Sequence, residues 1–304
     1  MKIISIVMNK GGTGKTELAL NLAYGIASKG KRVLFCDLDP QGNATSILLD
    51  LEKELTEKNT ADFEQLLNKH CANKENSSFV NGVNALNEFV NKLSFDYDIC
   101  SVLDSKNLNA KELSEITKKA IKKSRITNLD ILPASKNLSI TDMSLKSQMS
   151  ADLKLRMALR EIKKEYDYVV IDNQPFENAL TYNALGACKS DDDLIIIPLK
   201  INRGGFEGLA STINSALNYL NIYSSDAQIK MVISMKNNNK TDKTLESLLK
   251  NVFEGHIFDT SIRYQAKPIE EASLENKILL EYDKKSKYAV TNEFWNLVDE
   301  VLNS

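Results

Sequence analysis

The chain has 304 residues, of which 42% are hydrophobic, and its 39 lysines and arginines nearly balance 41 aspartates and glutamates. That content supports a large buried core and excludes a disordered chain, and the balanced charge excludes a global basic field, so any nucleic-acid contact must come from a local patch. The four cysteines, Cys36, Cys71, Cys100 and Cys188, are scattered without a CxxC pair, which argues against a disulfide framework, a zinc ribbon or a cluster carrier and suits a reducing cytosol.

Ile3 to Met8 is a short apolar run that ends in Asn-Lys-Gly-Gly, the pattern of a buried strand feeding a glycine turn. It is too short for a signal-peptide core or a membrane span, so the chain is expected in the cytoplasm. Apolar residues at Leu18, Leu22 and Ile26 predict a helix over Lys15 to Lys29, closed by Gly30. Arg32 to Cys36 reads as a second strand, running into Asp37-Leu38-Asp39-Pro40. Residues 52 to 96, rich in Asn, Lys and Glu, break the rhythm. Phe79, Val83, Leu86, Phe89, Val90 and Leu93 fall on one helical face there, and Phe63, Leu66 and Leu67 suggest another short helix. The stretch is expected to be a helical insertion packed on the main domain.

Beyond it, Leu129 to Leu132 is a strand and Asp152 to Lys164 a helix with Leu153, Met157, Leu159 and Ile162 inward. Tyr168 to Ile171 is a strand ending at Asp172, and Leu194 to Leu199 another, followed by a helix over about Phe206 to Leu220. Ile229 to Met235 is a strand and about Asp242 to Phe253 a helix. Strands of four to seven apolar residues alternating with helices predict an α/β fold: a doubly wound, mostly parallel sheet, one domain over 1–304 carrying the helical insertion. Ligands of such sheets bind at the carboxyl ends of the strands.

The decisive residues are Lys10-Gly11-Gly12-Thr13-Gly14-Lys15-Thr16. A strand, a glycine turn and a helix N-terminus aim backbone N–H groups and the positive helix end at a phosphate, and glycines let the backbone close around it. Lys15 can then reach the β and γ oxygens, and the Thr16 hydroxyl can ligate Mg²⁺. The strict G-x-x-x-x-G-K-[ST] pattern is not met, because Asn9 stands at its first glycine and Lys10 follows, adding a second cation to the loop.

Asn9 to Thr16 resembles the deviant Walker A box of the ParA/MinD superfamily, whose signature is that additional lysine. The resemblance implies ATP as nucleotide and an ATP-state homodimer in which Lys10 reaches the partner subunit's phosphates. Val33 to Thr45 is similar to the second box of the family. By that likeness Asp39 positions or activates the attacking water, and Asp37 supports the Mg²⁺ shell unless it caps the next helix instead. Tyr166 to Pro175 resembles the Walker B region and delivers Asp172 to the metal. Asn173-Gln174-Pro175 departs from the family pattern of a small residue or cysteine and two prolines. The likeness continues through Asp193 to Leu209 and through Tyr282 to Lys287.

Within the superfamily the partition branch fits best. Cluster-scaffold and nitrogenase-type relatives need paired cysteines. Membrane-bound MinD-like relatives need a basic terminal helix, whereas Asp299 and Glu300 make this one acidic. The early phosphate loop leaves no room for an N-terminal helix-turn-helix. The resemblance therefore implies non-specific, nucleoid-associated DNA binding by the ATP dimer, a ParB-like centromere-binding partner that stimulates hydrolysis, and no membrane contact. Arg263 and Lys267 match the basic residues of the family, with Lys236, Lys240 and Lys243 as further candidates. The run Lys118, Lys119, Lys122, Lys123, Arg125 is the densest basic patch and reads first as a solvated helix face. Two other readings stand beside this one: an ATPase of the same kind that positions a conjugation or secretion complex, and a non-hydrolysing scaffold of the same fold.

Overall fold

A computed structural model describes residues 1–51, 58–71, 78–92, 94–105, 108–148, 150–175 and 177–304. Its centre is a seven-stranded sheet in the order β3-β4-β2-β5-β1-β6-β7. The strands are β1 (Lys2–Ile6), β2 (Val33–Leu38), β3 (Lys122–Lys123), β4 (Leu129–Leu132), β5 (Tyr168–Asn173), β6 (Leu194–Leu199) and β7 (Gln228–Ile233). All pairings are parallel except that of the two-residue edge strand β3 with β4. β2, β4 and β6 are buried along their whole length, which is why they read as mostly apolar runs, broken only by Asp37 in β2 and Asp130 in β4.

Two helical layers cover the sheet. Alternation along β2 and β5 sends Val33, Phe35 and Val170 to one face, where they pack under α1 (Lys15–Ser28), α13 (Leu279–Tyr282) and α14 (Ala289–Leu302). Leu34, Cys36, Val169 and Ile171 face the other layer, built from α5 (Ile99–Leu103), α6 (Ala110–Ala120), α7 (Leu138–Leu145), α8 (Lys154–Glu161), α9 (Ala179–Ala187) and α10 (Arg203–Ile222). The remaining helices are α2 (Asn43–Leu49), α3 (Lys58–Cys71), α4 (Ser78–Lys92), α11 (Lys240–Val252) and α12 (Ala266–Leu274). Asparagine starts several of them. The side chains of Asn178, Asn202 and Asn239 accept from the amides of Thr181, Gly205 and Asp242, satisfying N–H groups that the first turn leaves without a helical partner. Gly30, at φ +81°, ends α1 in the left-handed conformation expected of it.

Several expectations are corrected. The helix predicted over Asp152 to Lys164 starts as a 3₁₀ turn, Ala151–Leu153, and ends at Glu161. Its buried face is Leu155, Ala158, Leu159 and Ile162, and Met157 is exposed. In the insertion α3 and α4 form a pair packed on each other, with the Phe63 and Phe89 rings 4.9 Å apart and Leu66 and Ala85 buried. Val83, Leu86 and Val90, expected to face the main domain, are exposed instead, because Phe89 turns toward α3. The side chains of Phe79 and Leu93 lie outside the described residues. Cys36, Cys100 and Cys188 are free and buried.

Candidate nucleotide and metal site

β1 lies between β5 and β6, so the loop that follows it emerges at the centre of the carboxyl edge of the sheet. Gly12 and Gly14 take φ values of +72° and +80°, a region that side-chain-bearing residues resist, and Gly14 serves as the N-cap of α1. Ser234, just beyond β7, donates its hydroxyl to the Thr13 carbonyl at 2.8 Å and ties the loop to the sheet. Lys15 is buried, and its ammonium donates to the Lys10 carbonyl at 3.1 Å, folding the side chain over its own loop. Burial pulls the Lys15 pKa down, against the opposing pull of Asp172 and Asp39.

Lys10 behaves differently. It is exposed, and its side chain leaves the loop toward the first turns of α10. A methyl group placed on Gly204 would lie 1.8 Å from its Nζ, and one on Gly208 would lie 3.1 Å from its Cβ. Two glycines one turn apart thus leave a side-chain-free track for this lysine. Lys10 forms no ion pair among the described residues.

The carboxylates come from two neighbouring strands. In the parallel register Asp37 stands directly opposite Asp172, and alternation puts both on the face of α1, at whose N-terminus Thr16 sits. Both are fully buried. Burial pushes Asp37 up to about 6, and hydrogen bonds from Thr45 and the Asp39 amide hold it from rising further. Burial, reinforced by the charge of Asp37, pushes Asp172 up to about 8 despite Thr16 and Lys15 nearby.

Their partners differ. Asp37 accepts from the Asp39 amide (3.1 Å) and from the Thr45 amide (2.9 Å) and hydroxyl (2.7 Å), so its carboxylate does cap α2. The Thr45 oxygen in turn accepts from the Ala134 amide at 2.8 Å, beyond the end of β4. Both Asp172 oxygens are buried without a hydrogen-bond partner among the described residues, as is the side-chain oxygen of Asn173. A buried carboxylate in that condition is costly unless a cation answers it, so the donor set fits a hard divalent ion held by Asp172 and Thr16, with Asp37 behind them. Asp39 is half-exposed at the mouth, and its side chain accepts from the Gln41 amide at 2.9 Å.

Residues 1–223 match the family model described as an AAA domain. The sporulation initiation inhibitor protein Soj of Bacillus subtilis is 30% identical over 290 residues, which cover 95% of this chain and 94% of Soj. The chromosome partitioning protein ParA of Myxococcus xanthus is 28% identical over 289 residues, covering 94% of this chain and 83% of that one. The chain belongs to the ParA-type partition ATPases of the ParA/MinD family. Solved structures agree on the fold of this ATPase. Apo McdA from Cyanothece superposes with a TM-score of 0.69 at 19% identity over 99% of both chains. A plasmid partition protein of Borrelia burgdorferi bound to AMPPNP gives 0.65 at 21% identity, over 99% of this chain and 98% of that one.

The basic residues of the ATPase are mostly engaged. Arg263 is bound to Glu293 at 2.7 Å, and Lys267 lies 3.9 Å from Glu271. Lys236 is bound to Glu246 at 2.8 Å. Lys118, Lys123 and Arg125 are ion-paired with Glu165, Asp130 and Glu281, while Lys119 and Lys122 lie over the Tyr97 and Phe95 rings, and the densest basic run is not one helix face, because it leaves α6 after Ala120 and continues in β3. Among the described residues no helix is long and apolar enough to cross a membrane. Sequence reasoning missed Glu177, which accepts from the Asn9 side chain at 3.4 Å, because no local pattern links residues so far apart.

Proposed function

We propose that the ATPase is an ATP-dependent dimerising switch that binds DNA non-specifically and drives segregation of a plasmid or chromosome, with a ParB-like partner stimulating hydrolysis. The observation that carries this reading is the divergence of the two loop lysines. Lys15 is folded over its own loop, whereas Lys10 is directed away from it, exposed and without an ion pair among the described residues. A cation placed that way is available to the phosphates of a second subunit.

ATP with Mg²⁺ supplies the transferable γ-phosphoryl group. In this reading Gly11, Gly12, Thr13, Gly14, Lys15 and Thr16 hold the phosphates, Thr16 and Asp172 hold the metal, and Asp37 orients that pair. Asp39, at the mouth, positions the attacking water and accepts its proton. Arg263 and Lys267, both on the surface, provide phosphate contacts, exchanging Glu293 and Glu271 for DNA.

DNA retardation in ATP, ADP and no nucleotide, across several salt concentrations, tests the proposal. Retardation confined to ATP and weakening steeply with salt is expected, and nucleotide-independent retardation overturns it. Lys10→Ala is expected to keep nucleotide binding and lose ATP-dependent dimers in sizing experiments. Dimers that persist in the variant overturn the trans role of Lys10.

A further inference from the structure

The insertion leaves an apolar helix face uncovered. In the pair formed by α3 and α4, the buried residues Leu66 and Ala85 join neither of the two layers that cover the sheet. Val80, Val83, Leu86 and Val90 of α4 are 52%, 38%, 49% and 36% exposed, and Asn84 and Asn87 are exposed beside them. No charge interrupts that face. Glu88 is turned to α3, where it accepts from Lys69 at 3.2 Å and lies 2.8 Å from the His70 ring. α3, by contrast, exposes Asp62, Glu64 and Lys69. One side of the pair is suited to water and the other is not.

Spacing points to what covers it. Val80, Val83, Asn87 and Val90 follow one another at steps of three, four and three, which are the a and d positions of a two-stranded coiled-coil seam. Ala85 falls on the opposite side of the helix from that seam, consistent with its burial against the hairpin. A β-branched residue such as Val80 at a favours two strands, and a lone asparagine at a, here Asn87, fixes register. Closing the seam would bury the Asn87 amide, which then needs a polar partner. In a parallel pair a faces a, so Asn87 meets Asn87 of the partner subunit, whereas an antiparallel pair would set it against valine. Asn84 and Leu86, which flank the seam, carry no charge, so two copies do not repel and a charged partner finds no counterpart.

We propose that α4 pairs in parallel with α4 of a second copy of this chain, through Val80, Val83, Asn87 and Val90. The helix is about 22 Å long, and so short a seam buries less than the roughly 1,200 Å² of a stable interface. Single chains therefore associate only weakly through it. Chains gathered as ATP dimers on one DNA meet at a raised local concentration and pair more. That gain rests on the switch reading above; the pairing itself does not.

Disulfide cross-linking of the full chain at high concentration, without nucleotide and with Cys71→Ser as background, gives a direct test. Asn87→Cys is expected to form a disulfide between two chains under mild oxidation, because facing a positions lie within its reach. Asn68→Cys, on the exposed side of α3, is expected to form none. Adding Val83→Glu to Asn87→Cys should abolish the cross-link, since two like charges then face each other in the seam. Val83 is exposed, so this variant keeps the fold, which circular dichroism checks. Sedimentation velocity of the unaltered chain should show concentration-dependent association that Val83→Glu loses. Equal cross-linking at positions 68 and 87, or a cross-link that survives Val83→Glu, overturns the proposal. So does co-sedimentation with phosphatidylcholine vesicles in the absence of any cross-link, which gives the face to lipid. A chain that cross-links at position 87 but forms no dimers in ATP refutes the switch and leaves the seam standing.

Discussion

At Asp172 two demands meet, because the folded chain buries a carboxylate that would ionise near pH 4 in the unfolded state and holds it up at about 8. Between those values the folded state keeps a proton that the unfolded state releases, so metal-free stability falls as pH rises from about 4 to about 8. Asp37, raised to about 6, adds to the fall between about 4 and 6. Asp172→Asn should therefore flatten the slope and leave the free protein more stable at pH 8 by on the order of 2 kcal/mol, measured by urea unfolding across that range. An unchanged slope would place the pH dependence elsewhere. The same substitution should abolish the Mg²⁺-dependent part of nucleotide-linked stabilisation, since the metal needs the ionised carboxylate. Asp39→Ala tests the neighbouring role. Turnover should drop at least about a hundredfold while ATP dimers stay on DNA, and an unaltered rate would remove Asp39 from hydrolysis.

At the scale of elements, α1 and α14 approach each other closely at Gly25. A Cβ on Gly25 would lie 2.4 Å from a methyl carbon of Val298, so Gly25→Ala should destabilise the fold by about 1–3 kcal/mol. Val298→Ala in the same chain should recover much of that loss, and strict additivity of the two changes in denaturant unfolding would refute the contact. β1, β2, β4, β5, β6, β7 and α1 were legible in the sequence because those strands are short, largely apolar runs and α1 follows a glycine turn, whereas β3, two lysines read as part of a helix face, was not. α9 was not, since Leu180, Thr181, Asn183, Ala184 and Leu185 are all buried and leave no polar face to set a period. Its asparagine cap, Asn178, was the available signal. In the insertion the apolar periodicity of α4 was real, but periodicity cannot say which neighbour takes the face. The loop lysines and the three aspartates were readable from local pattern. That Asp37 stands beside Asp172, and that Glu177 holds Asn9, depends on sheet register and loop packing, which no short window contains.

For the molecule as a whole, a formal net charge of −2 means that the proposed DNA binding has to rest on a local patch. Removing Arg263 by substitution with Ala should weaken retardation evenly across DNA sequences and lower the salt slope by about 1, as for one lost phosphate contact. An unaltered slope would move the DNA surface away from the segment after Ile262. The bonds around Asp37 bear on how any such variant is interpreted. One side chain holds its own loop at Asp39, the start of α2 at Thr45 and, through Thr45, the loop that leaves β4 at Ala134. It is a rivet as well as a charge. An inactive protein with alanine at position 37 would therefore reveal a loosened half-sheet before it revealed any chemistry, and Thr45→Val, which unfastens the same seam while sparing the carboxylate, is the comparison that separates the two.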